Sequence, residues 1–262
     1  MNLEINKNLF AAWCGMIISG YDLFDNRDKE ILYLCKEIKN KLYDDRIVKH
    51  FALSKTNAVE CNPYYPRASD LSVYCFYIDK TLDAYYAFLD YCGDTEHRNP
   101  DFREWIEKSE SYIRSIRENK HFSELFCTYY DIINNRFTDI DSQIALIKDK
   151  LTKYNLLADI EMIFAPNLLQ SKYLADYALI DNKLYIIAAD FREKTIIHEY
   201  LHIITKVKQK EIEILLQEKD IKDFVNIAEM QKLGFLKDFS LQSQIHALEE
   251  TFVRYYTDLL TK

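Results

Sequence analysis

Glycine and proline are scarce, with four of each in 262 residues. So few breakers leave little material for a sandwich of short strands and point to many helices. No block of basic residues occurs, and the formal net charge is −8. That balance speaks against nucleic acid and against anionic membrane surfaces as partners. No C-x-x-C pair is formed by the six cysteines (Cys14, Cys35, Cys61, Cys75, Cys92 and Cys127), and none lies in the last half of the chain. A cysteine-based zinc site is therefore not expected. Reduced, mostly buried thiols in a cytosolic protein are the simplest reading, with the even count leaving disulfides open. The apolar run LFAAWCGMIISG near the start is too short to span a bilayer. Glu4 precedes it, Lys7 is the only basic side chain beside it, and no A-x-A site follows. It reads as an amphipathic first helix, and the expected location is cytoplasmic, with secretion left open.

What is present is apolar and aromatic. Hydrophobic residues make up 48% of the chain and charged residues 29%, a soluble globular composition. The 20 tyrosines and 15 phenylalanines serve a packed core more simply than a ligand platform. The first 150 residues read mostly as helices. DKEILYLCKEIKNKLY places Ile31, Leu32, Cys35, Ile38 and Leu42 on one face. LDAYYAFLDYC repeats the pattern. Asn99 and Pro100 open the next helix as cap and first turn. FSELFCTYYDIINN and DSQIALIKDKLTKY follow as two more. Residues 55–70, with Pro63 and Pro66, read as an irregular loop.

After Asn155 the texture changes. IEMIFAP, DYALI and KLYIIAA read as three strands, the last two joined at Asp181-Asn182 as a hairpin. Helices resume at KTIIHEYLHIITKV, and a break near Gly234 precedes a last helix capped by Ser240. The lysines from Lys206 to Lys222, interleaved with glutamates and isoleucines, read as the solvated face of a helix. The expected fold class is α+β, predominantly helical. Residues 1–155 form a helical region shaping or covering a cleft. Residues 156–262 carry a small, mostly antiparallel sheet packed on the KTIIHEYLHIITKV helix, then a glutamate-bearing helix. The boundary is soft, and the two parts can share one core.

The chemistry concentrates in residues 194–206. Residues four apart project from the same helix face, so His198 and His202 present two imidazoles one turn apart. Zinc accepts imidazole nitrogen at about 2.0–2.1 Å, and neighbouring turns supply two corners of a tetrahedron. Glu199, rotated by about 100° from His198, stays off the metal and near a water bound there. The flanking Ile196, Ile197, Leu201, Ile203 and Ile204 suit a helix buried behind a cleft. This H-E-x-x-H segment, with the strand-like KLYIIAAD ahead of it, closely resembles the zincin metallopeptidases. In that family the strand beside the helix pairs with an extended substrate.

The resemblance implies a third protein ligand and an open coordination position. The short form H-E-x-x-H-x-x-G-x-x-H is absent, because Thr205 and Lys208 occupy its glycine and last histidine positions. The gluzincin branch takes a glutamate from a later helix, and HALEETFVRYY offers Glu249 and Glu250. Both sit in a strongly apolar helix, where an unpaired carboxylate is costly and metal ligation removes the cost. Glu250 is preferred, with Leu248, Phe252 and Tyr255 or Tyr256 as its core-facing neighbours. ETFVR resembles the E-x-x-V-R segment of an uncharacterised bacterial family assigned to the gluzincins, and SGYD near the start adds a looser likeness. Thermolysin-like gluzincins often carry an acid four residues after the ligand glutamate, orienting the first histidine. Here Arg254 stands at that position, so the partner of His198 is left open.

These residues imply a zinc-dependent metallopeptidase. Zn²⁺ would be held by His198, His202 and Glu250, and Glu199 would activate a zinc-bound water. His246, Arg254 or a tyrosine would steady the tetrahedral intermediate, and Arg254 could equally grip a substrate carboxylate or form a plain salt bridge. The partner is a peptide or protein substrate, with no nucleic acid and no membrane. The alternative is a zincin-like metal-binding regulatory or interaction protein without turnover.

Overall fold

The computed structural model describes residues 2–21, 28–56, 68–94, 96–172 and 174–262. Cys61, Pro63, Pro66, most of the expected 55–70 loop and Asp22 of SGYD lie outside the described residues. Those described form twelve α-helices and three strands. Eight helices come first: α1 (Lys7–Ile18), α2 (Lys29–Lys41), α3 (Asp45–Thr56), α4 (Ala68–Tyr74), α5 (Leu82–Cys92), α6 (Pro100–Glu118), α7 (Phe122–Arg136) and α8 (Ile140–Lys153). The strands β1 (Glu161–Pro166), β2 (Ala175–Ile180) and β3 (Lys183–Ala188) follow. The chain ends in α9 (Glu193–Val207), α10 (Gln209–Glu218), α11 (Ile227–Lys232) and α12 (Leu241–Leu260). This is the predominantly helical α+β class expected from the scarcity of breakers. Among the described residues no helix is long and apolar enough to cross a membrane.

Two compact units divide the chain. The first comprises Met1–Asp90, Asp94–Ser142 and Ile160–Phe191, and the second Tyr91–Gly93, Gln143–Asp159 and Arg192–Lys262. Residue 155 falls inside the 143–159 segment of the second unit. The three strands, grouped on sequence with residues 156–262, cluster with the N-terminal helices. Side chains from the N-terminal region reach the sheet: Tyr129 of α7 donates to the Pro166 carbonyl at 2.9 Å, and Tyr77, in the turn between α4 and α5, donates to the Leu179 carbonyl at 2.8 Å.

In the first unit α1 departs from the amphipathic reading. Every residue from Asn8 to Ile18 is buried, because α2, α3, α4 and α6 all pack against it. A helix apolar all round is a core helix. On α2 the buried residues are Ile31, Leu34, Cys35 and Ile38, while Leu32 is exposed and does not share their face. Asn99 caps α6 as expected, its side chain accepting from the Asp101 amide. Among the described residues Cys14, Cys75 and Cys127 are free thiols.

The sheet is mixed rather than mostly antiparallel. Its order is β1-β3-β2, with β1 parallel to β3 and β2 antiparallel to β3. The β2–β3 hairpin turns at Asp181 and Asn182, both with positive φ (50° and 64°), the backbone that a tight two-residue turn demands. The hairpin returns β3 between β1 and β2, and β1 runs in the same direction as β3. Leu3 adds a parallel bridge at the free edge of β1.

In the second unit, Ile221, Val225, Met230, Leu236 and Ala247 form a local core. Beside it α9 packs on α12. Lys194 bonds Asp258 at 2.7 Å near one end of the pair, and Lys206 bonds Glu249 at 2.7 Å near the other, so the helices run antiparallel. The α9 sequence is rich in isoleucine and threonine, mediocre helix formers, so burial of Ile196, Ile197, Tyr200, Leu201, Ile203 and Ile204 stabilises it more than propensity does. α12 starts at Ser240, whose hydroxyl accepts from the Ser243 amide as the cap.

Candidate metal centre

α9 supplies His198 and His202 on one face, and the antiparallel register of α12 lays Glu250 against them. One potential ligand atom from each residue lies within 4.8 Å of the others. The two Nε2 atoms are 3.3 Å apart, and His202 Nε2 is 3.6 Å from Glu250 Oε1. Two nitrogens bound to one zinc at tetrahedral angles would stand about 3.4 Å apart. The imidazole spacing fits that requirement, and two imidazoles with one carboxylate could hold a metal ion. Glu250 is only 7% exposed, so its carboxyl group faces these donors from a buried position.

Glu249 has a separate task, which its position beside Glu250 does not reveal. It is 3% exposed. Its Oε1 faces His202 Nδ1 at 3.0 Å and accepts from the Thr205 hydroxyl at 3.0 Å, while Oε2 accepts from Lys206 Nζ at 2.7 Å. An acceptor on Nδ1 leaves the lone pair on Nε2, the nitrogen turned toward His198 and Glu250. Metal-binding histidines carry such an outer partner. The sequence assigned Lys206 to a solvated face. In the structure its side chain is buried against Glu249, 8% exposed. The signal was its spacing: Lys206 is one turn beyond His202, and Thr205 is three residues beyond it, so both share the histidine face.

The electrostatics separate the roles. Burial, then the neighbouring charges of His202, Arg254 and Lys194, push the His198 pKa down to about 4, so its imidazole is neutral at pH 7. Burial opposes charge on His202, but the hydrogen bond to Glu249 and the carboxylates of Glu199, Glu249 and Glu250 outweigh it and raise its pKa. Burial likewise opposes charge on Glu249, yet His202 and Lys206 together hold its pKa below the usual glutamate value. Burial raises the Glu199 carboxyl to about 7, with Glu250 adding to the rise and His202 opposing it. A carboxyl poised near neutrality is suited to exchanging protons.

His246 and Arg254 share the stripe of α12 that carries Glu250, one turn to either side. The His246 ring meets Phe235 edge-on at 5.7 Å, and partial desolvation there lowers its pKa despite the opposing charges of Glu250 and Glu249. Arg254 Nε lies 3.5 Å from Glu250 Oε2, a long contact. Of the two tyrosines left open by sequence, Tyr256 packs on Phe252 and Tyr255 is 62% exposed, so Tyr255 is not core-facing. Among the described residues His198 bonds only His202, and no outer partner for its Nδ1 is present. No protein-family model matches the chain, and no curated protein or solved structure is significantly similar to it.

Proposed function

We propose that this protein is a zinc-dependent metallopeptidase, holding zinc through His198, His202 and Glu250 and acting on a peptide or protein substrate. The observation that carries this reading is the convergence of three ligand atoms within 4.8 Å beside a half-buried Glu199. Zinc held there would supply a Lewis acid for a carbonyl oxygen and would acidify a bound water toward a pKa of about 7.

The chain's own groups do the rest. Glu199 takes up a proton on its carboxylate and releases it to the departing amine, a transfer favoured by a pKa of about 7. Glu249 fixes the His202 ring and its tautomer, and Lys206 and Thr205 keep Glu249 turned away from the ligand position. His246 would supply a donor on the Glu250 side, where negative charge would build on the carbonyl oxygen.

The test is cleavage of a peptide library, read by mass spectrometry, with zinc-loaded parent and Glu199→Gln. Glu199→Gln is expected to keep its zinc and lose turnover by about 100-fold or more, the usual contribution of a positioned acid–base group. A parent that holds zinc and cleaves nothing would favour a metal-binding regulatory protein. A Glu199→Gln variant cleaving at the parent rate would refute the assigned mechanism.

A further inference from the structure

One side chain of the second unit is held in place by groups that leave its recognition edge free. Gly234, with φ of 78°, ends α11 in a backbone conformation that side chains resist, and the following Phe235 packs on the outer stripe of α12. The guanidinium carbon of Arg254 lies 4.6 Å from the Phe235 ring centroid. Its Nε faces Glu250 Oε2 at 3.5 Å. The guanidinium is thus steadied on its face by an aromatic ring and at Nε by a carboxylate. The nearest acid one turn on, Asp258, is bonded by Lys194 at 2.7 Å.

Among the described residues the two terminal nitrogens of Arg254 donate to no acceptor. The side chain is 46% exposed, so the planar edge carrying those nitrogens is open to a ligand. A half-exposed contact at 3.5 Å between residues one turn apart contributes little to stability. A plain salt bridge therefore accounts poorly for a guanidinium held against an aromatic ring beside Glu250. Two parallel N–H groups on a fixed plane match the two oxygens of a carboxylate.

We propose that Arg254 is the carboxylate-binding residue of the substrate site. The peptides preferred would carry a free carboxylate close to the bond cleaved, either the chain terminus or an acidic side chain. This inference rests on the zinc-peptidase reading. It adds a substrate class to it: anionic peptides, recognised by a guanidinium next to the third ligand.

The test uses the full-length, zinc-loaded chain and three hydroxamate-capped dipeptides as probes, with binding measured by calorimetry. One ends in a free carboxylate, one in a carboxamide, and one in a carboxamide with an aspartate side chain. A charge-assisted pair predicts that one anionic probe binds about 10- to 100-fold tighter than the neutral one. Which anionic probe gains identifies the terminus or the side chain as the source. Arg254→Gln, checked for zinc content, should bring the ratio toward one, and Arg254→Lys should retain part of it. Equal binding of all three probes to zinc-loaded parent overturns the proposal and leaves the peptidase reading standing. A ratio that persists in zinc-loaded Arg254→Gln also overturns it. A chain that takes up no zinc removes the peptidase reading and this inference together.

Discussion

Replacing Glu249 by glutamine keeps the size of the side chain and removes its charge. In the parent that carboxylate serves His202 Nδ1, the Thr205 hydroxyl and the Lys206 ammonium within 3.0 Å. An amide offers one acceptor oxygen, so either His202 or Lys206 loses its partner. Lys206 is 8% exposed at its side chain, and an uncompensated buried charge costs about 3–5 kcal/mol. Loss of an outer partner on a metal-binding histidine costs about 10- to 100-fold in metal affinity. Glu249→Gln should therefore lower both the stability of the metal-free chain and the zinc affinity, the latter within that range. Glu250→Gln should lower zinc affinity further, because a ligand itself is lost. The double variant Glu249→Gln/Lys206→Met removes both buried charges, so it should recover most of the lost stability. Urea unfolding of metal-free protein gives the first quantity, and competition against a chromophoric chelator gives the second. A larger affinity loss for Glu249→Gln than for Glu250→Gln would exchange the two roles. A Glu249→Gln penalty in stability that Lys206→Met leaves untouched would refute the buried pair.

Two further outcomes probe the first unit. His50, 6% exposed, stacks on Trp105 and donates from Nε2 to the Ser109 hydroxyl at 2.7 Å, since that hydroxyl itself donates to the Trp105 carbonyl. Burial, with the charge of Lys108, lowers its pKa from 6.5 to about 4. The unfolded chain therefore binds the extra proton between those values, so this contribution is fully present above about pH 6.5 and is lost as pH falls toward 4, about 3 kcal/mol in all. Urea midpoints at several pH values should fall less steeply for His50→Gln, and parallel curves would contradict the assignment. A Cβ at Gly15 would stand 2.4 Å from Cε2 of the fully buried Phe51. Gly15→Ala should destabilise by about 1–2 kcal/mol, because overpacking outweighs the gain of about 1 kcal/mol in helix propensity; a rise in the urea midpoint would refute the clash.

The sequence made local features legible and left relations between distant elements open. The face shared by His198 and His202 follows from helical periodicity alone, and the caps at Asn99 and Ser240 follow from the residue types that accept first-turn amides. The hairpin followed from Asp181-Asn182, because both residues tolerate positive φ. The parallel pairing of β1 with β3 did not, since nothing within either strand states its neighbour. The burial of α1 on all sides likewise depends on four other helices. The division of labour between Glu249 and Glu250 turns on a rotation of about 100° and on the register of α12 against α9. Sequence spacing narrowed the candidate third ligand to two residues, with Glu250 preferred; the signal that sets Glu249 apart is Lys206, four residues beyond His202 on the same helix face.

The most direct test is the metal content of protein purified without a histidine tag and dialysed against trace zinc. Elemental analysis should find about one zinc per chain in the parent and in Glu199→Gln, since a single three-ligand site is proposed. Zinc should be lost in His198→Ala. A parent without stoichiometric zinc, or a His198→Ala variant that binds it as fully as the parent, would contradict the account.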